Sequence, residues 1–187
     1  MIPEFRSLSG AVALAVAASA FPAHAVPGDN EPAPPFRIAD NLYYVGASDI
    51  AAYAIATPSG LILIDGGYES TAPQILANLR TLGFDPKQVK VLVSTHAHLD
   101  HAGGLAELKR VPGARLYASR ADADLMAHGG KGDFFLKDRA PYPPVVADHI
   151  LKDEEKVSLG GVTLTAHLTP GHTKGCTTWT FPVQVDG

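Results

Sequence analysis

The sequence predicts a mixed α/β fold, and three observations predict it. Apolar, β-branched runs such as Val89–Val93 alternate with a helical stripe such as Ile75, Leu76, Leu79 and Leu82. Strand–turn–strand units lie on both sides of that helix, with turns at Pro58-Ser59-Gly60 and Gly160-Gly161. Between them a strand, a loop and a helix carry a dense cluster of histidines and an aspartate. Loops that follow strands are where α/β folds place their sites.

The 187 residues are 46% hydrophobic and 18% charged, with a formal net charge of −4 and no basic run. That composition is globular and excludes the electrostatic footprint of a nucleic-acid partner. A single cysteine, Cys176, excludes an internal disulfide framework.

In chain order, Leu8 to Ala20 is an uncharged, alanine-rich run preceded by Arg6 and followed by Ala23-His24-Ala25, a small-x-small site. Residues 1–25 therefore read as a secretory signal peptide, too short in its apolar run to span a bilayer. Met1–Phe5, with Glu4 and little positive charge, is an atypical start. The mature chain, 26–187, reads as a single domain, periplasmic or secreted, not membrane-bound and expected as a monomer. Val26–Pro35 is a proline-rich arm.

Leu42–Val45, Ile50–Thr57 and Leu61–Asp65 read as an antiparallel meander. Asp65-Gly66-Gly67 ends it in a sharp bend, where Asp65 reads as a turn aspartate. Ser70 or Thr71 caps the next helix, Pro73 suits its first turn and Gly83 ends it. Leu105–Arg110 reads as a short helix and Arg115–Ala118 as a strand. Ser119 caps a helix through Met126, with Ala123, Met126 and Ala127 inward. His128–Asp148 lacks periodicity, and a loop of that length inside a compact domain is commonly functional. Its Phe134 and Phe135 either line a cleft or pin the loop to the core. Val157–Leu159 and Val162–Leu168 read as a hairpin, with His167 on its polar face as a structural or solvated residue.

The chemistry concentrates in Ser94-Thr95-His96-Ala97-His98-Leu99-Asp100-His101-Ala102-Gly103-Gly104. Imidazole and carboxylate are ligand types that zinc accepts. Four such groups within six residues strain a single tetrahedral ion and suit two ions better. His172 follows Thr169-Pro170-Gly171, so a turn displays it straight after a strand.

His96-x-His98-x-Asp100-His101, followed by Pro170-Gly171-His172, resembles the metal motifs of the metallo-β-lactamase superfamily. Asp65-Gly66-Gly67-Tyr68-Glu69 and Gly175-Cys176-Thr177-Thr178-Trp179 are similar to class B, subclass 3 enzymes. The resemblance runs from about Pro35 to Phe181. It implies an αββα sandwich and one or two zinc ions. It places His96, His98 and His172 on the first ion, and Asp100 and His101 on the second, and it gives Asp65 a second reading, as a carboxylate behind the metals. It implies opening of a small-molecule β-lactam by hydroxide generated on zinc, with Asp100 orienting that hydroxide and relaying a proton. Cys176, four residues past His172, is expected to be buried and structural rather than a ligand. Family members carry a further αβ half beyond this point, so the chain reads as C-terminally incomplete. The alternatives are a glyoxalase II-like thioesterase, a lactonase, or an inactive zinc-binding chain.

Overall fold

The computed structural model describes residues 30–110 and 114–184, so the expected signal peptide lies outside the described residues. The large sheet has seven strands in sequence order. Four form an antiparallel meander: β1 (Phe36–Ala39), β2 (Leu42–Tyr44), β3 (Tyr53–Thr57) and β4 (Gly60–Ile64). Three run parallel to β4: β5 (Val89–Val93), β6 (Arg115–Ser119) and β7 (His149–Leu151). Parallel neighbours need crossovers. These hold α1 (Ala72–Thr81), the pair α2 (Leu99–Ala102) and α3 (Leu105–Lys109), and α4 (Arg120–Ala127). A second, antiparallel sheet follows in the order β10-β9-β8: β8 (Glu155–Leu159), β9 (Val162–Leu168) and β10 (Thr177–Thr180).

The strand sequences explain the layers. Successive side chains point to opposite faces of a sheet, so an unbroken apolar strand implies burial on both. Leu61 and Leu63 of β4 join Leu92, Leu116, Ile75, Leu79 and Met126 in a core against the helices. Ile62 and Ile64 join Val91, Val93, Val157, Leu164 and Ala166 in a second core against the small sheet. Helices, large sheet and small sheet are three layers of an αββα sandwich, all among the described residues.

Several local expectations change. β1 and β7 were not visible as periodic runs; both are short edge strands. The loop expected through Gly104 is helical over α2, so Asp100 and His101 sit in one turn of helix. Thr71 precedes α1 but does not cap it; its hydroxyl bonds Asn30 and accepts the Tyr68 N–H. Ala127 is exposed, and Asp122 takes a buried position beside Ala123 and Met126. Phe134 and Phe135 are 51% and 61% exposed, so they do not pin their loop to the core. Among the described residues no helix is long and apolar enough to cross a membrane.

Candidate metal centre

The centre forms where β4, β5 and the β9–β10 connection end together. β5 runs into Ser94-Thr95-His96, His98 precedes α2, and α2 carries Asp100 and His101. This segment is stitched to the end of β4 by Gly66 N–H to His101 O at 2.7 Å and Gly104 N–H to Gly67 O at 3.0 Å. Gly104 permits that approach, because a Cβ there would collide with Gly66 O and stand 2.9 Å from Tyr68 O. His172 comes from the small sheet. β10 is tied across to the histidine loop by Thr177 N–H to Thr95 O at 2.8 Å and Trp179 Nε1–H to Ser94 O at 3.1 Å.

Ligand-type atoms of His96, His98 and His172 all lie within 4.8 Å of one another, and so do those of His96, Asp100 and His101. The structure therefore brings all five expected residues together, with His96 in both groups. His98 Nδ1 and His172 Nε2 stand 3.0 Å apart. His96 Nε2 and His98 Nε2 are both buried without a hydrogen-bond partner. An orphaned buried nitrogen is costly unless something accepts its lone pair. Three imidazoles whose ligand atoms lie this close, two of them with an orphaned nitrogen, fit a borderline-soft divalent cation such as zinc.

Asp65 sits behind this cluster and is 3% exposed. Its Oδ1 accepts the Thr95 N–H at 2.7 Å, and its Oδ2 accepts the Thr95 hydroxyl at 2.8 Å. His101 Nδ1 lies 2.9 Å from the same Oδ2. A proton on Nδ1 leaves Nε2 with its lone pair toward Asp100, whose Oδ2 is 3.5 Å away. Asp65 adopts φ +64°, a left-handed conformation that Asp tolerates better than most residues. Of the two readings open for Asp65, the carboxylate behind the site is the one its contacts match.

Electrostatics keeps part of the cluster neutral. Burial, reinforced by His101, pulls the His96 pKa down to about 3. Burial and the adjacent His172 lower that of His98, against the opposing pull of Asp133. His101 goes the other way: burial lowers it, but the hydrogen bond and charge of Asp65 and the charge of Asp100 outweigh burial and raise it. A neutral imidazole is the ligating form, so His96 and His98 need not shed a proton to bind metal.

Residues from other elements complete the surroundings, and sequence reading missed them. Asp133, in the long loop, places Oδ2 3.4 Å from His98 Nε2, while its Oδ1 accepts the N–H groups of Phe135 and Leu136. Tyr142 donates its hydroxyl to Ala97 O at 2.6 Å, between two of the histidines. Neither belongs to a periodic pattern; the one available signal was the length of the loop that carries them. Cys176 is half-buried rather than buried. Its Sγ accepts the Thr173 N–H at 3.1 Å, and it belongs to neither group of candidate ligands. His167 is partly exposed and bonds Glu154 and Thr180, His149 pairs with Glu155, and His128 bonds Asp124 O, so none of the three joins the centre. A cavity of about 570 Å³ opens beside the cluster, and His96, His172 and Thr95 line it together with Tyr53, Ile64 and Trp179.

The chain is similar to solved structures that share this arrangement of strands. It superposes on the native FEZ-1 metallo-beta-lactamase from Legionella gormanii with a TM-score of 0.80 at 46% identity, covering 82% of this chain and 60% of that one. It superposes on the class B3 di-zinc metallo-beta-lactamase LRA-12 from an Alaskan soil metagenome with a TM-score of 0.82 at 40% identity, covering 86% and 61%. Among curated relatives, a hydroxyacylglutathione hydrolase of Anaeromyxobacter dehalogenans is 32% identical over 127 residues, 68% of this chain and 40% of the relative. The chain thus spans about three fifths of the solved enzymes it matches. The family model described as the metallo-beta-lactamase superfamily matches residues 45–184, which include every histidine and carboxylate of the centre. Fold and sequence agree: the chain belongs to the metallo-beta-lactamase superfamily.

Proposed function

We propose that this protein is an exported, zinc-dependent β-lactamase of the class B3 kind, hydrolysing a small-molecule antibiotic. The observation that carries this reading is the convergence of His96, His98 and His172, backed by the second group around Asp100 and His101. The first three residues would hold one zinc ion, and Asp100 and His101 would contribute to a second. Bound there, zinc supplies Lewis acidity, lowering the pKa of water to roughly 7 and polarising a carbonyl.

The chain's own groups supply position and proton traffic. Asp65 holds His101 in one tautomer and anchors Thr95, which fixes where the segment carrying His96 leaves β5. The Asp100 side chain is 36% exposed, so its carboxylate reaches the solvent side of the cluster. As water attacks the ring carbonyl, a C–O bond forms and Asp100 takes the proton on a carboxylate oxygen. The C–N bond then breaks, and the same proton passes to the departing ring nitrogen. Export is supported by the apolar run Leu8–Ala20 and the Ala23-His24-Ala25 site.

The hydroxyacylglutathione hydrolase relative favours a second reading, thioester hydrolysis by the same centre. The β-lactamases are more similar and cover more of the chain. The test is turnover of a penicillin, a cephalosporin, a carbapenem and a glutathione thioester, with and without chelator. β-Lactam opening that chelator abolishes and zinc restores is expected. Thioester turnover with no β-lactam turnover would overturn the reading.

A further inference from the structure

Beneath the histidines lies a buried carboxylate with no part in the chemistry above. Asp122, in the first turn of α4, is 3% exposed. Its Oδ2 accepts the Thr173 hydroxyl at 3.0 Å, and Thr173 directly follows His172. The N–H groups of Ala97 and Gly175 bear on the same carboxyl, although Oδ1 closes no full hydrogen bond. Ala97 lies between His96 and His98. One carboxyl therefore stands between the segment bearing two imidazoles and the turn bearing the third.

The packing around it is close. Ser119 Oγ donates to Gly175 O at 2.7 Å. A Cβ on Gly175 would stand 2.5 Å from both Asp122 N and Oδ1, and nearer still to Ser119 Oγ. Helix capping does not account for Asp122, because Ser119 already caps α4 by accepting the Asp122 N–H. The carboxyl reaches away from its own helix, toward the two loops.

We infer that Asp122 is a positioning residue that fastens the His172 turn to the His96–His98 segment, so that the three imidazoles meet on one cation. This rests on the metal reading of the three histidines. The test uses the full chain and cobalt(II) as the probe, with affinity from chelator competition and the visible cobalt spectrum as signature. Thr173→Val removes the hydroxyl at nearly constant shape, Thr173→Ser keeps it, and Asp122→Ala removes its acceptor.

Thr173→Val and Asp122→Ala should each weaken cobalt binding by about 10–100-fold, the range for losing support to a ligand. The double variant should lose little more than either single one, and Thr173→Ser should stay near the parent. Far-UV circular dichroism of the metal-free variants should match the parent. Where Asp122→Ala does not fold, the two Thr173 variants carry the test. Parental affinity and spectrum in Thr173→Val would overturn the inference. So would a loss in Thr173→Ser as large as that in Thr173→Val. A parent chain that binds no cobalt overturns the metal reading itself, and this one with it.

Discussion

A histidine that folds without its proton is already in the form a metal needs. His96 is held so by burial and by its neighbour His101. His96→Ala, His98→Ala and His172→Ala should each remove the tightly held metal equivalent, since the first group then keeps two imidazoles. Metal analysis after dialysis measures it, and unchanged content in all three would sink the assignment. Cys176 gives the contrasting case. Its Sγ faces the Thr173 N–H inside the turn, so Cys176→Ser should keep the metal content of the parent. A serine oxygen accepts the same N–H, and loss of a metal equivalent without unfolding would make Cys176 a ligand after all.

Single elements show what carries those residues. Gly175 lets the turn after His172 lie against the start of α4. Gly175→Ala should destabilise the chain by about 1–3 kcal/mol, as overpacking does, and a denaturant midpoint equal to the parent's would refute that contact. The β7–β8 connection offers a pH test. The Lys152 N–H, and then the His149 imidazole, hold Glu155 below the usual carboxylate range. A depressed folded pKa gives stability that is present above the unfolded value near 4.5 and lost as pH falls through the folded one. The stability gap between parent and Glu155→Gln should therefore be widest near neutrality and shrink in acid below 4.5. A gap that stays constant would show that the ionised form carries no advantage.

What could be read from the sequence follows the same division. His96, His98, Asp100 and His101 were legible because one short segment holds them, and His172 because a Pro-Gly turn displays it. The meander, α1, β5 and the Gly160-Gly161 hairpin were legible from periodicity and turn residues. Asp122 and Asp133 were not. One sits on a helix with a plain amphipathic register and the other in an aperiodic loop, and only tertiary packing turns them toward the histidines. β1 and β7 escaped because edge strands of three or four residues leave no pattern long enough to count.

At the scale of the whole molecule, the large sheet separates two cores that do different work. Leu79, fully buried, packs helix α1 onto one face. Leu164, also fully buried, packs β9 onto the other. Either residue changed to Ala should cost about 2–5 kcal/mol. Their effects on the centre should differ. β9 leads through Thr169-Pro170-Gly171 to His172, so any shift of the small sheet moves one ligand against the other two. α1 supplies no ligand, and β4 and β5, which lead into Asp65 and His96, lie between it and the small sheet. Metal stabilises the folded chain by mass action, and the rise in unfolding midpoint on adding metal reports its affinity. That rise should be nearly parental in Leu79→Ala and clearly smaller in Leu164→Ala, even where the two metal-free variants melt together. Equal rises would mean that the sheet-to-sheet core does not set the position of His172. The cross-links from Thr177 to Thr95 and from Trp179 to Ser94 would then suffice by themselves.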